Sequence, residues 1–143
     1  MTGLLDPTQI PLSLYIHMPW CVRKCPYCDF NSHAVPNGAL SLELEQQYLN
    51  ALVADFQTQL DFAQGRKIHS VFIGGGTPSL ISAQGYQWLF TQLRSLLEFE
   101  QGCEITLEAN PGTVEHDPFA DYLKSGINRL SIGVQSFNQE HLQ

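Results

Sequence analysis

Three cysteines fall within eight residues, as Cys21-Val-Arg-Lys-Cys25-Pro-Tyr-Cys28, while a fourth, Cys103, stands alone. Three thiolates on one short loop can converge on a single iron-sulfur cluster, a centre suited to soft sulfur ligands. On a cubic four-iron cluster they leave one iron without a protein ligand, and a chelating substrate or cofactor can take that position. Two other chemistries share these residues. A structural zinc site would need a fourth ligand, and His33 or His17 is near enough in sequence to complete a Cys3His set. Thiol redox exchange is the other, because Cys25-Pro26-Tyr27-Cys28 has the C-x-x-C form. Such a pair should run directly into a helix, however, and here Asp29 to Ser32 and a Pro36-Asn37-Gly38 turn come first.

Gly74-Gly75-Gly76-Thr77-Pro78 forms a second chemical motif, directly after a β-branched and aromatic run. Glycines there let a backbone approach a ligand without Cβ interference, and they are expected to expose N–H groups to a polar head. The run lacks the Lys-Ser/Thr of a phosphate loop and the third spaced glycine of a dinucleotide fingerprint, which disfavours nucleotide-triphosphate chemistry. Glu108 and Gln135 each follow a strand-like segment. A carboxylate at Glu108 could accept hydrogen bonds from ribose hydroxyls or from a cationic amine.

The elements that must position these groups alternate. Leu12 to Ile16 reads as a strand. Ser41 to Phe62 has apolar residues every four positions, with Ser41 as N-cap. Ser70 to Ile73 is a second strand, Ser82 to Leu97 a second helix, and Glu104 to Glu108 a third strand closed by the turn Asn110-Pro111-Gly112. Asp117 to Lys124 is expected to be a short helix with Asp117 capping and Pro118 in its first position. Arg129 to Val134 is a fourth strand, and Ser136 to Glu140 suggests the start of another helix. The order βαβαβαβ predicts an α/β fold with a parallel sheet, either doubly wound or the first half of a (β/α) barrel. In either, the strands' carboxyl ends carry the site, so the cysteine loop, the glycines, Glu108 and Gln135 should share one rim. Residues 1–11 read as an N-terminal extension and 12–143 as one core domain. With 143 residues the chain is too short to close a barrel of about 200–250 residues, so it is expected to be part of a longer protein.

Composition limits the functions available. Fourteen acidic against seven basic side chains give a net charge of −7, and 43% apolar residues supply a core. Nucleic acid and anionic membrane surfaces are poor partners for such a charge. No apolar run approaches the ~20 residues of a membrane-spanning helix, and Met1 to Pro11 lacks the pattern of a secretory signal. The expected location is cytoplasmic, where clustered cysteines serve metals or redox chemistry. Cys103 is expected to be a small buried side chain, Trp20 and Trp88 packing residues, and His17 a packed residue beside the loop. His33, His69, His116 and His141 have no spacing that selects any of them as a ligand.

Tyr15-Ile-His-Met-Pro-Trp-Cys21 with its C-x-x-x-C-x-x-C loop, Gly-Gly-Gly-Thr-Pro, Glu108-Ala-Asn-Pro and Arg129-Leu-Ser-Ile-Gly-Val-Gln135-Ser together resemble the radical S-adenosylmethionine (SAM) superfamily. They are similar to the branch that contains oxygen-independent coproporphyrinogen III oxidase and a related haem chaperone. The resemblance implies the N-terminal portion of a partial TIM barrel, with Cys21, Cys25 and Cys28 holding a [4Fe-4S] cluster whose fourth iron is chelated by SAM. By position, Tyr15, Tyr27, Gly75, Gly76, Thr77, Glu108 and Gln135 match SAM-contact residues. The oxidase pattern has a further cysteine two positions after the third ligand, where this chain has Phe30. That difference resembles the chaperone branch and implies haem as cargo with an apo-protein acceptor. The alternatives are the oxidase activity itself and a zinc-stabilised binding module.

Overall fold

The computed structural model describes residues 5–110 and 116–142. A central sheet contains β1 (Leu12–Met18), β4 (Ile68–Gly75), β5 (Phe99–Ala109) and β6 (Arg129–Ile132), while β2 (Trp20–Cys21) and β3 (His33–Ala34) form a separate miniature pair. The helices are α1 (Leu42–Gln59), α2 (Ala83–Leu96) and α3 (Phe119–Ser125). Strand order in the central sheet is β1-β4-β5-β6, and every pairing is parallel. Spatial order follows chain order without reversal. A doubly wound sheet requires a reversal, so the arrangement is that of a barrel segment.

Alternation along the strands divides the sheet into two faces. In β1, Ile16 and Met18 are buried while Ser13 and Tyr15 are exposed. Ile16 and Met18 join Val71 and Ile73 of β4, Ile105 and Leu107 of β5, Leu49 and Phe56 of α1, Leu89 and Leu93 of α2, and Tyr122 of α3 in one core. Each such side chain contributes about 1.5–3 kcal/mol by leaving water. The opposite face carries Tyr15 stacked on Phe72, with ring centroids 6.5 Å apart, and the hydroxyl pair Ser13 and Ser70, 2.8 Å apart.

The helix starts follow local chemistry. Ser41 Oγ accepts from Leu44 N at 3.2 Å, and Ser82 Oγ accepts from Gly85 N at 2.9 Å. Asp117 behaves differently from expectation. Pro118 occupies the N-cap position of α3 without a side-chain bond, and the Asp117 carboxylate accepts instead from Ala83 N at 2.6 Å. It therefore caps α2, whose amino end also receives Glu45: this buried carboxylate accepts from Ser82 N at 2.9 Å and from Ser82 Oγ at 2.6 Å. Acidic groups are favoured at that end because the helix leaves N–H donors there. The segment expected to open another helix forms one short turn of 3-10 helix, Gln139–Leu142. Of the expected turn Asn110-Pro111-Gly112, the last two residues lie outside the described residues. Among the described residues no helix is long and apolar enough to cross a membrane.

Candidate functional site

At the carboxyl edge of the central sheet lies a cavity of about 450 Å³. The cysteine loop forms one wall with Cys21, Cys25, Tyr27, Cys28 and Phe30. Gly75, Gly76 and Thr77 come from the end of β4, Glu108 and Asn110 from the end of β5, and Ser131, Gly133 and Gln135 from β6 and the segment after it. The ends of β4, β5 and β6 and the three cysteines of the loop that follows β1 thus meet in one place, as the shared-rim argument requires.

The cysteine loop is held at both ends. Residues on the way in and out pair as β2 and β3, with Trp20 opposite His33 and Cys21 opposite Ala34, and Val35 N donates to Cys21 O at 2.8 Å. His17 ties the loop's exit to β1. Its Nε2 lies 2.7 Å from the carbonyl of Asn31, and its Nδ1 lies 2.8 Å from the Tyr15 hydroxyl. A carbonyl only accepts, so Nε2 carries the proton, and a neutral ring then takes the Tyr15 proton at Nδ1. Sequence reasoning assigned His17 to packing; its hydrogen bonds are what it contributes. Behind it, Tyr48 of α1 donates to His17 O at 2.6 Å and stands edge-on to Trp20. Burial pushes the Tyr48 hydroxyl's pKa up, which keeps it a donor.

The glycine turn works in a different way from the one expected. Gly75 N donates to Glu108 Oε2 at 3.3 Å, Gly76 N to Met18 O at 2.7 Å, and Thr77 N to Trp20 O at 2.6 Å. These amides are engaged by the protein, so the turn does not present them to a ligand. What it supplies is the absence of side chains. Gly75 has φ +115°, and a Cβ there would lie 2.7 Å from the His17 ring. A Cβ at Gly76 would lie 2.5 Å from Trp20 O and 2.9 Å from Cys21 Sγ. The turn is therefore pressed against the segment that carries the first sulfur.

All the candidate residues except Tyr15 line the cavity. Tyr15 lies on the face of β1 opposite the core, bonded to His17, and partial burial followed by the Glu108 charge raises its pKa. Tyr27 is 81% exposed at the mouth, and its hydroxyl's pKa is raised by a hydrogen bond with Cys25 and by that sulfur's charge. Gln135 adopts φ 64°, an uncommon conformation for a residue with a Cβ, and its Nε2 donates to Gly133 O at 3.0 Å. Sequence reasoning missed Asn110, Ser131 and Gly133 as wall residues. Ser131 was within reach of it, because Ser131 is paired with Glu108 across β5 and β6.

Cys21 and Cys28 are partly buried, Cys25 is exposed, and Cys103 is buried elsewhere, where burial raises its thiol pKa. Among the described residues no three His, Cys, Asp or Glu side chains gather closely enough for a single metal ion. A tetrahedral zinc with Zn–S of about 2.3 Å would need its sulfurs within roughly 4 Å of one another. The candidate fourth ligands are also committed elsewhere: His17 has both ring nitrogens engaged, and His33 packs against Trp20 outside the cavity wall. A wider centre held by three soft donors suits this loop better.

The sequence profile described as the Radical SAM superfamily matches residues 15–143. The chain is 53% identical over 137 residues to heme chaperone HemW of Haemophilus influenzae, covering 96% of this chain and 36% of that protein. It is likewise 53% identical over 133 residues to heme chaperone HemW of Escherichia coli, covering 93% and 34%. Among solved structures it resembles coproporphyrinogen III oxidase (HemN) of Escherichia coli, described as a radical SAM enzyme, with a TM-score of 0.77, 33% identity, and coverage of 93% of this chain and 30% of that one. The chain spans about a third of the length of these curated relatives. Its sequential parallel sheet is the N-terminal portion of a radical SAM partial TIM barrel, and the chain belongs to the radical SAM superfamily.

Proposed function

We propose that this chain is the cluster- and SAM-binding portion of a haem chaperone. The observation that supports it is the single cavity in which Cys21, Cys25 and Cys28 face Gly75, Gly76, Thr77, Glu108 and Gln135. In this proposal the three thiolates hold a [4Fe-4S] cluster, and the loop has no fourth cysteine, which leaves one position for SAM. When bound, the cluster and SAM together supply one-electron reductive cleavage of a sulfonium.

The chain's own contribution is position. Gly75 and Gly76 let the turn close against His17, Trp20 and Cys21, and with Thr77 they form the cavity wall beside which the methionyl end of SAM would lie. The Glu108 carboxylate, held by Gly75 N, accepts hydrogen bonds from the ribose, and Tyr27 keeps its proton at the mouth. Tyr15 acts through His17, whose bond to Asn31 O fixes the far end of the loop. A wall built in this way would orient the ligand.

Haem as cargo and an apo-protein as acceptor follow from similarity to proteins named heme chaperone. Phe30 supports this over the oxidase: its ring lines the cavity where the oxidase pattern has a cysteine. The test is haem titration of the full-length protein beside an assay of protoporphyrinogen formation from coproporphyrinogen with SAM. Tight haem binding without product supports the chaperone; product formation with SAM turnover overturns it.

A further inference from the structure

The strand β6 has four residues where β1 has seven, so its backbone ladder is short. Two side chains at its start add to that ladder. Asn128 N donates to Ile105 O at 3.0 Å, its side-chain Oδ1 accepts from Ile105 N at 2.8 Å, and its Nδ2 donates to Cys103 O at 3.0 Å. The side-chain amide thus takes the place of a strand's own peptide group along the edge of β5. Arg129, directly opposite Thr106, donates from Nη1 to the Thr106 hydroxyl at 3.2 Å. Its Nε lies 3.8 Å from Glu104 Oε2, but both of these side chains are more than half exposed, and such a pair contributes little. Thr106 is 1% exposed, so the hydrogen bond to its hydroxyl is the contact that fixes the arginine.

The register of β6 decides what its part of the cavity wall contains. Side chains alternate between the two faces of a strand, and a slip of one residue exchanges the faces. In the observed register Thr106 is opposite Arg129 and Glu108 is opposite Ser131. Ile105 and Leu107 lie in the core, which puts Thr106 and Glu108, and with them Arg129 and Ser131, on the other face. Ser131 then lines the cavity beside Glu108, and the chain runs on to Gly133 and Gln135, which line it too. Gly133 N donates to Ala109 O at 3.1 Å, and Gly133 O accepts from Gln135 Nε2 at 3.0 Å. A slip of one residue would turn Leu130 or Ile132 to the cavity in place of Ser131. Asn128, Arg129 and Thr106 themselves lie outside the cavity wall.

We infer that Asn128 and Arg129 are positioning residues for SAM. They act through β6, holding Ser131, Gly133 and Gln135 level with Glu108. The inference rests on the SAM reading above. It also divides the site by its supports. The cysteine loop is tied to β1 through His17 and to the glycine turn after β4 through Trp20 O, whereas β6 is tied to β5 alone among the described strands. Cluster loading and SAM binding are therefore separable: loosening β6 weakens SAM binding and leaves the three sulfurs in place.

The experiment uses the full-length protein, reconstituted anaerobically, and reads iron per chain beside SAM affinity, the latter from titration of the reduced cluster's EPR spectrum. Arg129→Met keeps the reach of the side chain and removes the donor to Thr106. Asn128→Asp keeps the acceptor for Ile105 N and sets an oxygen against Cys103 O. Each variant is expected to load iron as wild type does and to bind SAM about tenfold or more weakly, the equivalent of one good hydrogen bond. Arg129→Lys retains a donor for Thr106 and should recover most of that loss. SAM affinity equal to wild type in both loaded variants overturns the inference, and so does a lysine variant as weak as the methionine one. Iron and SAM lost together would show a general loss of structure, which also overturns it. A wild-type protein whose loaded cluster ignores SAM would overturn the SAM reading itself, an outcome distinct from these.

Discussion

Replacing Gly76 with alanine would place a methyl carbon 2.5 Å from the carbonyl oxygen of Trp20 and 2.9 Å from Cys21 Sγ. An ordinary carbon–oxygen contact is about 3.3 Å or more, so the turn and the cysteine segment must separate by roughly 0.8 Å. Neither can do so by turning a flexible side chain, because the nearer obstruction is backbone. Overpacking of this kind costs about 1–3 kcal/mol. The same movement stretches the 2.6 Å bond from Thr77 N to Trp20 O, worth about 1 kcal/mol. The sum, roughly 2–4 kcal/mol, corresponds to a fall in melting temperature of roughly 6–16 °C for a chain of this size. The displaced group carries Cys21, so iron uptake on anaerobic reconstitution should fall with it. Gly102→Ala is the control: Gly102 has φ +77° with nothing within 4 Å of its would-be Cβ. That variant should lose about 1–2 kcal/mol through backbone strain and load iron as wild type does. Thermal unfolding and iron per chain, measured on both variants, decide the matter. A Gly76→Ala protein that melts and loads like wild type would refute the claim that the turn is pressed against the cysteine loop.

Other expectations follow from individual contacts. Cys21→Ala, Cys25→Ala and Cys28→Ala should each remove most iron uptake, while Cys103→Ala, altering a buried residue outside the cavity, should leave it intact; iron analysis of the four variants checks this. Asp117→Asn should destabilise the fold by about 0.5–2 kcal/mol through a weakened cap on α2. The Asp117 pKa is lowered chiefly by its bond from Ala83 N, so its contribution is complete above the usual carboxylate range and is lost as pH falls through the lowered value. Acid unfolding should therefore show a smaller difference between Asp117→Asn and wild type at low pH than at neutral pH. Glu45→Gln replaces one of two accepting oxygens with a donor against the Ser82 N–H and hydroxyl, and should cost about 1–3 kcal/mol in urea unfolding.

Local chemistry made several elements legible. Ser41 and Ser82 announce α1 and α2 because a cap is a contact within one turn, and the glycine run announces the end of β4. Non-local contacts carried no such signal. Asp117 finds its partner 34 positions earlier, and Glu45, a glutamate among helix surface positions, is buried against Ser82 on another helix. The strands β2 and β3 have two residues each, too few to show alternation. β5 begins at Phe99, earlier than expected, because Gln101-Gly102 interrupts its pattern with a residue at positive φ.

For the site, strand ends located Gly75, Glu108 and Gln135, since a parallel sheet brings its carboxyl ends together whatever its side chains are. That rule says nothing about hydrogen bonds. It therefore left unseen the engaged amides of the glycine turn and the path from Tyr15 through His17 to Asn31. Motif resemblance singled out the cysteines and Tyr27, which line the cavity, and also Tyr15, which the fold instead bonds to His17 outside the cavity wall.

Mössbauer and EPR spectra of the anaerobically reconstituted protein, recorded with and without SAM, test the proposed three-cysteine centre most directly. About four irons per chain, with one iron site whose spectrum shifts when SAM is added, is the predicted result. A colourless protein holding a single zinc, or a cluster whose spectrum ignores SAM, would contradict it.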